Sequence, residues 1–548
     1  MKRIYLLKLL LLLLSVQFLN AQSTALRVYE IFQEKCVSCH GNTNPQAGLD
    51  LEGTGPNVAT RFADVYDNLV GQTPANAVAA AKEDHYVYKG RADRSFLFRK
   101  INLLDETIPL DEDEGQLMPA YGGPGPLTEV EMELIRQWIL FGAPTSGEVV
   151  SESLLEDFYG GMGLTSFPDG PPEAPAAGEG FQIKMGPFFL EPNGELEYFS
   201  KYELNLPEDV DVTRLDVKFS NYSHHFIMYN FPSGNPSFIP EGYRLEPNHS
   251  DISLIAALQE PTDLRLPEGS AFLWDKDLVL DLNSHYINYS AFTPYQAEVY
   301  VNIYTEEAGT AAQEMQTALL VNGNIYIPNN GNEVTHTQHI TNNLGEVFLW
   351  GIMGHTHKYG RDYKAYRRLV GGGKGELIYD ASCPLGIPGC FSPYFDYQHI
   401  PMRYFSPLEP ITINFFNGII HEAKWVNDGP TPVNFGPTSD DEMMVMVMMY
   451  TEDTVGIVTN IEEIPNRLDQ VEVAPNPMTE QTLISLPTGA NVASLRLFDP
   501  MGREVQQMSD LNGGQQIELK RNNLPAGLYF IRLEDEHGHF KVTKLLME

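Results

Sequence analysis

The chain has 548 residues, enough for three or four domains, and 43% of them are hydrophobic, which excludes wholesale disorder. Asp plus Glu number 73 against 36 Lys plus Arg, for a formal charge of -37. That balance argues against nucleic acid or anionic membranes as partners, because both call for basic patches.

In chain order, Lys2, Arg3 and Lys8 surround the start of an apolar run at Leu9–Leu14, and Leu19-Asn20-Ala21 ends on a small residue. This pattern predicts a secretory signal over 1–21. No later stretch of eighteen or more apolar residues occurs, so a soluble exported protein is expected. Residues 22–148 read as mostly helical. Ala25–Glu34 and Ser95–Leu103 have helical apolar spacing, and Thr128 is placed to cap a helix carrying Val130, Leu134, Ile135, Trp138 and Ile139 on one face. Gly142 and Pro144 end that helix. Residues 149–182 read as a linker, rich in Gly, Pro and Ala from Tyr159 to Gly180. Beyond it the texture changes to short alternating strands, such as Leu215–Phe219, Glu298–Asn302 and Ile411–Phe415. This β region is too large for one sandwich and suits two, over 183–305 and 306–455. A last small β unit spans 467–548, and no repeat of fixed period is present. The predicted fold class is therefore multidomain: a mostly α domain, two tandem β-sandwiches and a small C-terminal β-sandwich.

Four cysteines fall in two pairs. An oxidising exterior favours a Cys383–Cys390 bridge over two separate thiols. Cys36-Val37-Ser38-Cys39-His40 has the C-x-x-C-H spacing of c-type haem attachment, in which two thiols bond the porphyrin edge and the next His reaches the iron. A zinc site needs further soft ligands nearby, and the next cysteine is Cys383. Met118, in Leu117-Met118-Pro119, is the expected sixth ligand, with His85 as its rival. With its Met-Pro before the last helix and Trp138 within that helix, segment 22–148 resembles a class I cytochrome c domain.

Six soft-metal ligands occur in four fragments, ordered His-His, His, His-x-His, Met. They are Ser223-His224-His225-Phe226, Asn283-Ser284-His285-Tyr286, Gly354-His355-Thr356-His357 and Asp440-Asp441-Glu442-Met443-Met444. Imidazole together with thioether suits copper cycling between two oxidation states. His355 and His357 share one side if they lie on a strand or its end. Neighbours such as His224 and His225 point to opposite faces of a regular strand, so both serve one metal only where the strand is bent or ends. Spacing alone does not single out Met443 from its Met-rich strand.

The order and context of these fragments resemble the copper type II, ascorbate-dependent monooxygenases, the family of peptidylglycine α-hydroxylating monooxygenase and dopamine β-monooxygenase. Leu266-Pro267-Glu268-Gly269 ahead of His285-Tyr286, the run His355–Gly360, and Thr438-Ser439-Asp440-Asp441-Glu442-Met443 carry the likeness, which covers about 180–455. It implies two β-sandwiches with one copper each. His224, His225 and His285 would hold an electron-supplying copper; His355, His357 and Met443 would hold the oxygen-activating one. It further implies a secreted enzyme that hydroxylates a C–H bond with O2, drawing electrons from ascorbate or a redox protein, here relayed through the haem. Two departures stand out. Met353 takes the place of an Arg that helps hold the substrate carboxylate in the peptide-amidating members, and Val447 that of a Tyr. A less polar or differently anchored substrate is expected; the alternative is a non-catalytic electron-transfer or copper-binding protein. Gly-His-Thr-His also looks like an element of binuclear metallophosphatases. Those need an Asp-x-His upstream, and here Asp535-Glu536-His537 lies far downstream. His336, His339, His399, His421, His537 and His539 are read as surface or structural.

Val473–Pro477, Leu497–Arg503 and Leu524–Leu533 resemble the blocks of a type IX secretion C-terminal sorting domain over about 467–548. The resemblance implies passage through the periplasm to the cell surface or beyond, with the type IX machinery as partner.

Overall fold

The structure, a computed structural model, describes residues 23–548 apart from 121–122, 124, 221, 249–251, 259–260, 383–394, 398–399, 437–439, 459–467, 469–470, 487–491, 493, 501–502, 510, 512–515 and 535–539. The expected signal at 1–21 and the Cys383–Cys390 pair lie outside the described residues, as does the side chain of His224.

The predicted fold class needs correction. Strand makes up 42% and helix 15% of the structure, spread over many small sheets, and no large, mostly α cytochrome c domain is evident. The physical reason is helix length. Among the described residues the three longest helices, Thr24–Lys35, Val58–Leu69 and Glu129–Leu140, have 12 residues each. Between them run irregular stretches rich in Gly, Asn, Asp and Pro, such as 41–57 and 102–128, which break the apolar period before it can lengthen. The chain divides into two compact units. One reaches to Arg265 and includes Trp274–Glu307; the other comprises Leu266–Leu273 and Ala308–Glu548.

In the first unit, Glu129–Leu140 begins as its sequence predicts. The Thr128 hydroxyl accepts from the Glu131 amide at 3.2 Å, and the Glu131 carboxylate accepts from the Thr128 amide at 2.7 Å, a reciprocal capping box. Leu134, Ile135, Trp138 and Ile139 are buried, and so are Glu133, Arg136 and Gln137 on the polar face. Strand Gly180–Leu190 covers that side: Gln137 Nε2 donates to Pro187 O at 3.0 Å. Charges are taken out of water here, and they survive as a closed network. Arg136 donates to Glu133 at 3.1 Å and to Asp105 at 3.2 Å, while Lys184 bridges Asp105 at 2.8 Å and Glu298 at 2.7 Å. Burial alone would raise the Asp105 carboxyl; Lys184 and Arg136 outweigh it and bring it down to about 2. The unit's five-stranded sheet runs in the order Gly242–Arg244, Glu195–Glu203, Val279–Ile287, Ser223–Asn230, Ser253–Leu258.

In the second unit, one sheet orders Gln316–Val321, Val445–Thr451, Gly345–His355 and Arg403–Ile413. Val445–Thr451 is paired on both sides and buried along its whole length, which explains its unbroken apolar sequence. A second sheet orders Glu333–Ile340, Gly418–Val426, Gly360–Arg368 and Lys374–Asp380. Its strand Glu333–Ile340 alternates exposed with half-buried residues, as a sheet edge with one wet face does. The C-terminal strands from Glu472 to Met547 close over their own core, in which Ile484, Leu495, Leu497, Ile531 and Leu545 are fully buried.

His421, one of the histidines read as structural, lies in the second unit's core between two polar partners. Gln338 Nε2 donates to Val321 O, so its Oε1 accepts from His421 Nε2 at 2.7 Å, and the Tyr363 hydroxyl meets Nδ1 at 2.5 Å. Burial pushes the imidazole down to about 4. The folded state thus refuses a proton that the unfolded chain accepts near pH 6.5, so the associated stability is complete above pH 6.5 and is lost as pH falls toward 4. The expected loss is about 3 kcal/mol over that window. Hydrogen exchange of amides in Gly418–Val426, corrected for intrinsic rates, should show it, and His421→Gln should flatten the dependence; equal slopes in both proteins would count against it.

Candidate metal centres

The first cluster forms on adjacent strands of the five-stranded sheet. His225 on Ser223–Asn230 lies opposite His285 on Val279–Ile287, which in turn lies opposite Glu197 on Glu195–Glu203. The His224–His225 pair requires an irregular strand to serve one metal, and the register slips there: His285 meets His225, while Tyr286 meets Ser223, so the extra residue is His224. A β-bulge is the device by which a strand re-aims consecutive residues. The His225 and His285 ring centroids are 5.2 Å apart. Two imidazoles bound to one tetrahedral metal with bonds of about 2.0 Å place their ring centres about 5 Å apart, so these residues fit a shared ion.

Hydrogen bonds settle the tautomers. Asn283 Nδ2 donates to Glu197 Oε1 at 3.0 Å and to Tyr198 O at 3.3 Å, which leaves its Oδ1 facing His225 Nε2 at 2.8 Å. Glu197 Oε1 is also 3.3 Å from that nitrogen, and Glu195 Oε1 is 2.7 Å from His285 Nε2. All of these partners accept, so both rings carry their proton on Nε2 and turn Nδ1 into the donor nitrogen for a metal. Burial would raise the Glu197 carboxyl; its hydrogen bond with His225 leads the effects that hold it low instead.

The second cluster is built where strand Gly345–His355 turns toward Gly360–Arg368. His355 pairs with Val445, and His357 Nδ1 lies 3.1 Å from Asp441 O. A carbonyl only accepts, so His357 carries its proton on Nδ1 and Nε2 becomes its metal-facing nitrogen. Met443 sits in the chain between these two points of contact, Asp441 and Val445. Its neighbours are committed to the core: Met444, Met446, Met448 and Met449 are buried, and Met444 Sδ accepts from Asn322 at 3.3 Å. Met443 is half-buried, which sets it apart from the rest of its Met-rich run. The His355 and His357 centroids are 5.2 Å apart, the spacing that a shared ion calls for.

Glu442 holds this assembly together. Its carboxylate is fully buried and accepts from the His357 amide at 2.9 Å, the Tyr359 amide at 2.6 Å and Trp425 Nε1 at 2.7 Å. Burial pushes the group up to about 7 against the lowering effect of these donors. The two positions that depart from the copper-enzyme pattern prove to be cross-strand partners. Met353 pairs with Val447, and both are buried. By strand alternation they share the sheet face of His355 and Val445.

In the C-x-x-C-H segment both cysteines are unbridged, and the short helix Val37–His40 brings the His40 amide to Cys36 O at 2.9 Å. Burial pushes the Cys36 thiol up to about 12. His40 Nδ1 lies 3.2 Å from Leu49 O, an acceptor, so Nε2 would be the nitrogen to meet a haem iron. Met118 is exposed in a loop, its amide donating to Lys100 O at 2.6 Å. His85 stacks on Tyr88 with centroids 4.8 Å apart, and burial lowers its pKa.

Among the described residues, no group of three or more His, Cys, Asp or Glu side chains is arranged to hold a metal ion. A third ligand at the first cluster would have to be His224, whose side chain lies outside the described residues, and at the second it would be the Met443 thioether. Sequence reasoning missed Glu195, Glu197, Asn283 and the clamp at Glu442. Two of these stood beside the quoted ligands, and Glu195-Leu196-Glu197 carried the alternation of a half-wet strand.

Comparison with known proteins identifies one region. The model of the secretion system C-terminal sorting domain matches residues 472–548. The chain is therefore exported through the periplasm to the cell surface or released, by way of the type IX secretion machinery. No curated protein matches the chain. Solved structures that match include a "Biofilm associated protein - BSP domain", at 10% identity over 69% of this chain and 84% of that one, with a TM-score of 0.14. A β-D-glucuronidase from Dictyoglomus thermophilum matches at 12% identity over 40% and 36%, with a TM-score of 0.13. Dimeric latent PorU from Porphyromonas gingivalis matches at 12% identity over 59% and 30%, with a TM-score of 0.12. The chain thus spans about a third of the latter two, and likenesses this weak carry no argument about fold or activity.

Replacing Glu442 with Ala strands three buried donors, and at about 1 kcal/mol or more for each the second unit should lose about 3 kcal/mol. Glu442→Gln, which keeps one acceptor oxygen, should lose less. Denaturant unfolding followed by Trp425 fluorescence measures both; an Ala variant as stable as the parent would contradict the clamp.

Proposed function

We propose that this chain is an exported copper-dependent monooxygenase that hydroxylates a C–H bond with O2, its electrons passing through a covalently attached c-type haem. The observation that carries the reading is the convergence of fragments distant in sequence: His355 and His357 at the spacing of a shared ion, with half-buried Met443 held between Asp441 and Val445. Imidazole with thioether suits copper that cycles between oxidation states, which is the source of O2 activation. The family resemblance assigns this centre the oxygen chemistry, and assigns the His224, His225 and His285 centre the storage of electrons. The reaction inserts one oxygen atom into the substrate and sends the other to water, consuming two electrons and two protons.

The chain's own residues supply the rest. The Glu442 carboxylate fixes the backbone at His357 and Tyr359 and so holds the His-x-His loop against the Met443 segment. The Met353–Val447 pair makes the sheet face beside His355 apolar, which favours a substrate recognised by apolar contact over a peptide carboxylate. Cys36, Cys39 and His40 would hold the haem, with Met118 or His85 opposite His40. Transfer from the haem to the first centre is favoured by their place in one unit: Phe141, just past helix Glu129–Leu140, packs edge-on against Tyr198 and Tyr243 of the five-stranded sheet at 5.2 and 5.4 Å. Ascorbate or a redox protein would be the external donor.

Copper-loaded protein supplied with a reductant and a panel of apolar C–H substrates should consume O2 over many turnovers, and Met443→Ile should lose turnover. Stoichiometric reoxidation alone, unaffected by Met443→Ile, would instead mark an electron carrier. Wild type run on a denaturing gel should retain a haem stain that Cys36→Ala with Cys39→Ala abolishes; an unstained wild type would remove the haem from the scheme.

A further inference from the structure

The two histidine centres differ in what backs their imidazoles. Glu195 and Glu197, two apart on strand Glu195–Glu203, face one side of the sheet by alternation. Glu195 Oε1 meets His285 Nε2 at 2.7 Å, and Glu197 Oε1 meets His225 Nε2 at 3.3 Å while accepting from Asn283 Nδ2 at 3.0 Å. His285 is buried, and Glu197 is mostly so. At the second centre His357 Nδ1 lies 3.1 Å from the neutral carbonyl of Asp441, and the proposed third ligand is a thioether.

We propose that Glu195 and Glu197 are positioning residues that bias the first centre toward oxidised copper, so that electrons run from it to the second centre. This rests on the copper reading of both centres. An anionic acceptor on the imidazole N–H fixes the ring and pushes electron density onto its other nitrogen, making it a more basic ligand. A more basic ligand stabilises Cu(II) relative to Cu(I), while a thioether favours Cu(I). Copper held by His224, His225 and His285 would give up one electron and copper held by His355, His357 and Met443 would take it up, with no other reactant needed. A role confined to folding would require only that the two carboxylates accept hydrogen bonds, which a carboxamide oxygen also does.

Glu195→Gln, Glu197→Gln and the double variant of the full chain test this, with Cu(II) and Cu(I) affinities measured by competition and the first-centre potential by redox titration. Cu(II) affinity should fall by about 10- to 100-fold. With Cu(I) affinity held, that raises the potential by about 60 to 120 mV, at 59 mV per tenfold for one electron. Glu197→Asp, which keeps the charge, should recover part of the shift. Electron paramagnetic resonance should still report nitrogen ligation in the variants. Unchanged Cu(II) affinity and potential in both single variants, at a site that His285→Ala empties, would overturn the proposal and leave the copper reading standing. A wild type that binds no copper would overturn both.

Discussion

A single buried carboxyl group, that of Glu442, ties together the two segments that carry His357 and Met443. A carboxyl group fully removed from water is costly unless its oxygens are satisfied, and here they accept from two main-chain amides and an indole N–H. The amides belong to His357 and Tyr359, on the loop after strand Gly345–His355. The carboxylate belongs to the residue before Met443. One desolvated group thus fixes two segments more than eighty residues apart, and everything chemical about the site follows from that register. The first unit depends on charge in the same way. Asp105, Arg136 and Lys184 satisfy one another beneath helix Glu129–Leu140, and they keep the C-x-x-C-H segment and the first histidine cluster within one packed body.

The two centres are chemically unlike in a way that suits a division of labour. The first surrounds its imidazoles with acceptors on Nε2, two of them anionic; the second presents a neutral acceptor to His357 Nδ1 and a half-buried thioether. In the proposed reading, ligand basicity on one side and softness on the other would set opposite preferences for the copper oxidation state. Beside the second centre, a buried Met353–Val447 couple replaces polar anchoring with apolar surface. The sorting domain takes the chain to the cell surface or beyond, where the proposed chemistry would have access to O2 and small organic molecules.

Much of the candidate site stands out in the sequence because its proposed ligands are rare residue types held in short fragments. His224-His225, His-x-His and C-x-x-C-H each encode their local geometry, and the Thr128 capping box reads directly from four residues. The β-bulge at His224 answers a requirement that the doublet itself poses. What failed was the weight given to the N-terminal helices. Apolar periods over Thr24–Lys35 and Glu129–Leu140 are real, but the Gly-, Asn- and Pro-rich stretches between them keep helix to 15% of the structure, so no mostly α domain results.

By itself, then, the sequence determined the Thr128 cap, the presence of strand at Leu215, Glu298 and Ile411, and that the chain is exported, since all of these depend on neighbours within a few residues. Tertiary structure alone decided which Met of the run at 443–449 stays accessible, that Met353 faces Val447, and that Glu195 and Glu197 back the histidines. It also decided that the polar face of helix Glu129–Leu140 is buried. Those outcomes depend on strand register and on which surface covers which, and both are set by non-local pairing that leaves no mark in any short stretch of residues.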